Sequence, residues 1–334
     1  MPLTKFPKGV SSYGVPVLGS GGQRFTGWWG VTCWFVDYDH GSDSNGGKDP
    51  TDAYKNLQTA INASGIGDVI YIRNRDQDIT STDPEYIIPA STTNWSVAEA
   101  KTHLSIIGAS PVSHLAGVCG SGNMAVYLRG NATATTGPVM DWKGAFGLLE
   151  NLAFHPGAVT KGGIVELTGN GTSLRSAGTV IANCLFRIDT NSDGSIYCLD
   201  NWWVTIYACT FHDCRFGIYF AGSNSTIRRS TIDSCYFRNQ TATSVNTNIT
   251  LSGNVTQDVV ISNCVFGVNA PNYTSGANKF INATGAATGI IYNCSFCTDT
   301  AEGTSTDFTN NGIDVLDCHQ ARCTADSEAF AKSS

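Results

Sequence analysis

Oxygen ligands, thiols and aromatic rings are the groups in this sequence whose spacing suits chemistry. Asp189-x-Asn191-x-Asp193-Gly194-x-Ile196, with Asp200 at the twelfth position, matches a calcium loop, in which carboxylate and amide oxygens surround the ion and glycine permits the turn. Apolar, strand-like sequence flanks it, from Cys184 to Ile188 and again after Gly194, so the paired-helix setting of such loops is absent. An Asx-rich turn between strands has the same composition. Calcium at Asp189, Asn191, Asp193 and Asp200 is the single metal assignment, and no other cofactor is expected. Asp37, Asp39, Asp43 and Asn45 form a second acidic turn. His155, His212 and His319 are scattered, no Ser-His-Asp set follows from residue order, and no catalytic residue is assigned. Trp202, Trp203, Tyr207, Tyr236 and Tyr292 suit sugar stacking or a protein interface, and if Trp202-Trp203 lie in a strand, alternation should expose one of the pair.

The twelve cysteines are the key to the elements that hold these groups. Five copies of Ile-x-x-Cys-x-Phe occur, at Ile181-Cys184-Phe186, Ile206-Cys209-Phe211, Ile232-Cys235-Phe237, Ile261-Cys264-Phe266 and Ile291-Cys294-Phe296. Leu149-Leu152-Phe154 is a sixth, and Val315-x-x-Cys318 is a degraded last copy. Periods of this length mark a solenoid. Cys and Phe, two apart, share one face of a strand, whereas Ile lies three before Cys, so the chain must bend between them. Asn151, Asn183, Asn263 and Asn293 occupy the bend, and Asn tolerates the left-handed conformation a sharp corner needs; Ala208 and Ser234 fill it elsewhere. A further apolar strand recurs in each coil, as in Ile164-Val165-Glu166-Leu167 and Ile218-Tyr219-Phe220. Stacked coils place Ile on Ile, Cys on Cys and Phe on Phe about 4.8 Å apart. The thiols then form a buried ladder of small hydrophobes, without the CxxC spacing of zinc sites.

This register also tests for hydrolytic chemistry. The outward position two before the Cys reads Glu150, Ala182, Tyr207, Asp233, Ser262, Tyr292, and its two acids lie three coils apart. That is roughly 14 Å, too far for the ~5–9.5 Å that glycoside hydrolysis requires. The ladders beside Phe read Leu185, Thr210, Tyr236, Val265, Ser295 and Arg187, His212, Arg238, Gly267, Cys297, and neither repeats an acid.

Composition narrows the partners. A net charge of −7 and a pI near 5.3 give no basic field for nucleic acid. There is no run of about 18 apolar residues, so no membrane span is expected, and the opening Met1-Pro2-Leu3-Thr4-Lys5-Phe6-Pro7 lacks the apolar core of a secretion signal. Synthesis in the cytosol is the expectation.

Tyr54, Leu57 and Ile61 after Pro50 predict an amphipathic capping helix over 51–63, and Val69-Ile70-Tyr71-Ile72 reads as the first core strand. The run Phe35-Val36-Asp37-Tyr38, Gly41-Ser42-Asp43-Ser44-Asn45-Gly46-Gly47, Ala53-Tyr54-Lys55-Asn56-Leu57 and Gly67-Asp68-Val69-Ile70-Tyr71-Ile72 resembles the opening of pectate-lyase-like β-helix proteins. The segment from Phe6 to Gly19 resembles the start of virion-associated β-helix proteins of tailed bacteriophages. Repeat and resemblance together give an all-β, right-handed parallel β-helix: an N-terminal arm over 1–34, the helix over 35–317 and a C-terminal tail over 318–334. The resemblance implies a structural virion protein, a capsid decoration protein or head spike. It also implies a homotrimer that docks on the major capsid protein or another virion component through the arm. The alternative is a tail spike or β-helical enzyme that binds or cleaves a host surface polysaccharide.

Overall fold

A computed structural model describes residues 10–12, 15–18, 31–74, 86–88, 94–109, 126–130, 137–156, 163–169, 175–189, 194–214, 216–222, 227–239, 247–268, 279–298, 308–310, 312–322 and 331–332. The described strands from Cys33–Val36 to His319–Arg322 pair in parallel across successive coils. Three stacks result, met in the order 1, 2, 3 along each complete coil. Stack 1 holds Met140–Trp142, Gly163–Thr168, Gly194–Leu199 and Phe216–Gly222. Stack 2 holds Leu148–Glu150, Val180–Ala182, Thr205–Tyr207 and Thr231–Asp233, and stack 3 holds Leu152–His155, Leu185–Asp189, Thr210–Cys214 and Tyr236–Asn239. Two long strands, Thr247–Ser262 and Lys279–Tyr292, run through stacks 1 and 2 without a break and join them into one 17-stranded sheet. The parallel β-helix expected from the repeat is the fold of this chain.

The register is the one the repeat demands. Leu149, Ile181, Ile206, Ile232, Ile261 and Ile291 align on consecutive coils of stack 2, and Phe154, Phe186, Phe211, Phe237, Phe266 and Phe296 align in stack 3. Neighbouring Phe rings lie 4.6–5.2 Å apart and within 9° of parallel. Cys184, Cys209, Cys235, Cys264 and Cys294 are buried free thiols between these ladders. Each points its Sγ at the backbone carbonyl two residues back, at 3.1–3.4 Å. Burial pushes the Cys198, Cys209 and Cys235 thiols far above their ordinary range, the state of inert packing groups.

Every corner between stacks 2 and 3 from Asn151 onward is left-handed: Asn151, Asn183, Ala208, Ser234, Asn263, Asn293 and Asp317 have φ of 49–58°. A second left-handed corner, between stacks 1 and 2, was not expected. Phe146, Trp203, Arg229 and Asp258 occupy it at φ of 52–57°, with Gly178 at 67°. Side chains are tolerated at this φ on the other coils, and what favours glycine at 178 is the close approach, since a Cβ would meet the Phe146 ring at 2.4 Å.

The capping helix is shorter than expected. It spans Leu57–Ala63, capped by the Asn56 side chain, which accepts from the Gln58 N–H at 2.9 Å, and it buries Leu57, Ala60 and Ile61. Residues 51–56 do not join it because Tyr54 pairs with the first strand: its N–H donates to Phe35 O and its carbonyl accepts from Asp37 N, both at 2.9 Å. Those backbone groups are not available to a helix. A 3-10 turn at Pro50–Asp52 precedes them. The first core strand is Cys33–Val36, one coil earlier than Val69–Ile72. No helix among the described residues is long and apolar enough to cross a membrane.

Candidate functional site on the outer face of stack 1

Stack 1 alternates cleanly. Met140 and Trp142, Val165 and Leu167, Ile196 and Cys198, Ile218 and Phe220, and Ile249 and Leu251 point into the core. Strand alternation sends the residue between each pair outward. The register therefore builds an outer ladder of Asp141, Glu166, Tyr197, Tyr219, Thr250 and Asn282 on six consecutive coils.

Its first two rungs are carboxylates on adjacent coils. The Thr168 hydroxyl lies 3.1 Å from Asp141 Oδ1 and 3.3 Å from Glu166 Oε1, so both acids converge on one oxygen. Lys143 Nζ pairs with Asp141 Oδ2 at 2.6 Å. Both carboxylates are thus within hydrogen-bond reach of one hydroxyl, unlike Glu150 and Asp233, which lie three coils apart. The ladders that flank the repeat carry no such pair, as the sequence implied. The third strand carries it, and its register could not be derived from the cysteine repeat.

The next rungs are aromatic. Tyr197 and Tyr219 stack at 5.4 Å between centroids and 9° between planes, so each ring covers one face of the other. Beyond them, Thr250 is 5% exposed, and its hydroxyl oxygen and the Asn282 side-chain oxygen are both buried without a hydrogen-bond partner. These two residues are register neighbours. Buried polar groups in folded proteins are nearly always satisfied, so this end of the ladder is short of partners.

The residues singled out from the sequence lie elsewhere. Asp189 ends the stack 3 strand Leu185–Asp189, while Asn191 and Asp193 fall outside the described residues. Asp200 lies beyond the six-residue strand Gly194–Leu199, at left-handed φ 51°, with its N–H on Ala221 O at 3.0 Å.

The second acidic turn is structural. Asp37 is 5% exposed; its Oδ1 accepts from the N–H groups of Asp39 and His40, and its Oδ2 meets Arg73 Nη1 at 2.6 Å. Burial pushes the Asp37 carboxyl up, but the Arg73 hydrogen bond, the His40 and Asp39 amides and the guanidinium charge outweigh it and hold the group below its ordinary value. Asp43 accepts from the Asn56 N–H at 2.8 Å. Asp233, one of the acids read as outward, accepts from Ser262 Oγ at 2.6 Å and Asn263 Nδ2 at 2.7 Å. Among the described residues no group of three or more His, Cys, Asp or Glu side chains is placed to hold a metal. Trp203 is 41% exposed beside the less exposed Trp202, but the pair lies outside the strands, and it is the left-handed corner at Trp203 rather than strand alternation that turns this ring outward; Tyr207, Tyr236 and Tyr292 are 38–46% exposed.

Among solved structures, the chain resembles a GH136 lacto-N-biosidase from Eubacterium ramulus, with a TM-score of 0.52 and 10% identity over 87% of this chain and 55% of that one. The chain has the parallel β-helix fold. A rhamnogalacturonan lyase (TM-score 0.49, 12% identity, 85% of this chain and 73% of that one) and ORF18 of Geobacillus virus E2 (0.42, 14%, 80% and 57%) also match. At these identities the likeness is one of fold. The chain spans little more than half of the biosidase and viral structures. No family model and no curated protein sequence matches it.

Proposed function

We propose that this protein is a β-helical virion spike of a tailed bacteriophage that engages a surface glycan along the outer face of stack 1. The observation that carries the glycan part is the ladder itself: a carboxylate pair on adjacent coils, followed by two tyrosines and two polar side chains short of partners. Carboxylates, hydroxyls and amides are the groups that hydrogen-bond sugar hydroxyls, and tyrosine supplies apolar contact beside them. The virion part is supported by the resemblance of residues 6–19 and by thiols that remain free in the core, as suits a protein folded in a reducing cytosol. A homotrimer docked through residues 1–34 on the capsid or tail completes the reading.

A second reading, a capsid decoration protein without a ligand, is favoured by how much of the chain is scaffold: the Ile, Cys and Phe ladders serve packing alone. Glycan-array binding by the full-length protein, with a Tyr197→Ala/Tyr219→Ala variant alongside, separates the two. The spike reading expects binding that the double substitution removes, whereas decoration expects none from either protein. Antibody labelling of intact particles then locates the protein, and particles that never carry it sink both readings.

A further inference from the structure

The outer face of stack 2 takes no part in the stack 1 ladder, yet it gathers exposed apolar surface. Val180, Thr205, Thr231, Val260 and Ile290 align along it on five consecutive coils. Every residue of this row is β-branched, so it forms a flat strip without long flexible side chains. A second outward row runs beside it and includes Tyr207, Asp233 and Tyr292, and the left-handed corner with Trp203 bounds the other edge. Phe146, Trp203, Tyr207, Tyr292 and Leu316 stand on this face, five of the nine large hydrophobics that are exposed among the described residues. They spread over seven successive coils. Tyr236 and Val265 lie just around the corner in stack 3, also exposed. Contiguous exposed apolar surface of this kind marks a contact site.

Charge is sparse there. From Gly178 to Tyr292 the outward positions hold one arginine, Arg229, and two aspartates, Asp233 and Asp258, a net −1 against −7 for the chain. Arg229 Nε lies 3.9 Å from Asp258 Oδ2, and Asp233 accepts from Ser262 and Asn263. Glu150 and Asp314 stand at the two ends of the face. Copies of an acidic chain repel one another, so they approach best where a face is close to neutral and rich in rings. Seven coils at ~4.8 Å by a strip about 15 Å wide give roughly 500 Å² per copy, or about 1,000 Å² for a pair, the size at which a specific interface holds. Trp203 and Tyr207 stand on opposite edges of the strip, about 13 Å apart along an extended strand, so a broad protein surface covers both where a single sugar chain does not. We infer that the outer face of stack 2 is the surface on which copies of this chain associate, with Trp203 and Tyr207 as its anchors. This names the contact surface of the homotrimer in the reading above and rests on that reading.

Sedimentation velocity of the full-length protein over a micromolar dilution series tests it, alongside a Trp203→Asn/Tyr207→Glu variant and, separately, Tyr292→Glu. Asparagine tolerates the left-handed corner at position 203, and both tyrosines lie on outward rungs, so circular dichroism shows the β-helix retained. Wild type sediments as a trimer, and each variant weakens association by about tenfold or more, as the loss of aromatic anchors does. Tyr197→Ala/Tyr219→Ala, altered on stack 1, associates like wild type. A trimer indifferent to both stack 2 variants overturns the surface while leaving the homotrimer standing. Wild-type protein that stays monomeric throughout the series overturns both. Stack 2 variants that lose glycan binding but keep the trimer give the face to a sugar chain and overturn the inference as well.

Discussion

The corner between stacks 2 and 3 and the outer face of stack 1 belong to the same coils, yet they follow opposite rules. At the corner the same residues recur on five consecutive coils: Ile above Ile, Cys above Cys, Phe above Phe, each nearly or fully buried. On the outer face of stack 1 the residue changes at almost every coil, from Asp to Glu, Tyr, Tyr, Thr and Asn. Identity from coil to coil satisfies packing, because equal shapes stack without voids. A change at each coil satisfies no packing rule, and the residues that change are the ones left for chemistry.

Substitutions sharpen the contrast, beginning with the largest expected effect. Phe211 stacks between Phe186 at 5.1 Å and Phe237 at 4.6 Å, so Phe211→Ala should cost about 3–5 kcal/mol in denaturant unfolding. A loss below about 1 kcal/mol would mean that the ladder is not the core. Next, Arg73→Gln removes the ion pair on buried Asp37 and should cost about 1.5–3 kcal/mol at neutral pH. Because the folded carboxyl lies below its ordinary value of 3.8, the stabilisation is complete above that value and is lost as pH falls through the lowered one. Unfolding measured down to pH 2 should therefore show wild type and variant converge in acid; a constant gap contradicts the assignment. Asn263→Ala, at φ 53° and with its Nδ2 on Asp233, should cost about 1–2 kcal/mol, and Asn263→Gly recovers the conformational part but not the hydrogen bond. Glu166→Gln on the other face should change stability by no more than about 0.5 kcal/mol. A large destabilisation there would move Glu166 to the scaffold side of the comparison.

The two regions also differed in how legible they were. The corner could be read because the odd Ile-to-Cys offset demands a bend and because asparagine at four of its positions is a residue that tolerates positive φ; Ala208 and Ser234 adopt the same conformation because their neighbours above and below do. The second corner was hidden, since Phe146, Trp203 and Arg229 have no preference for left-handed backbone and only stacking holds them there. Glu166 was seen within its strand. Its partner Asp141 sits in Met140–Trp142, which carries no Cys-Phe signature, so only the register joins them.

The cysteine-to-cysteine steps of 25, 26, 29 and 30 residues show what the left-handed corner makes available. Each corner hands its backbone N–H to the coil that follows, Asn183 to Tyr207 O and Ala208 to Asp233 O, both at 3.0 Å, and the variable length falls outside the corners. Coils are therefore close to interchangeable cassettes. Duplicating one would lengthen the molecule by one rung and extend the outer face of stack 1 by one position, so reach and ligand length can change together without redesign of the core.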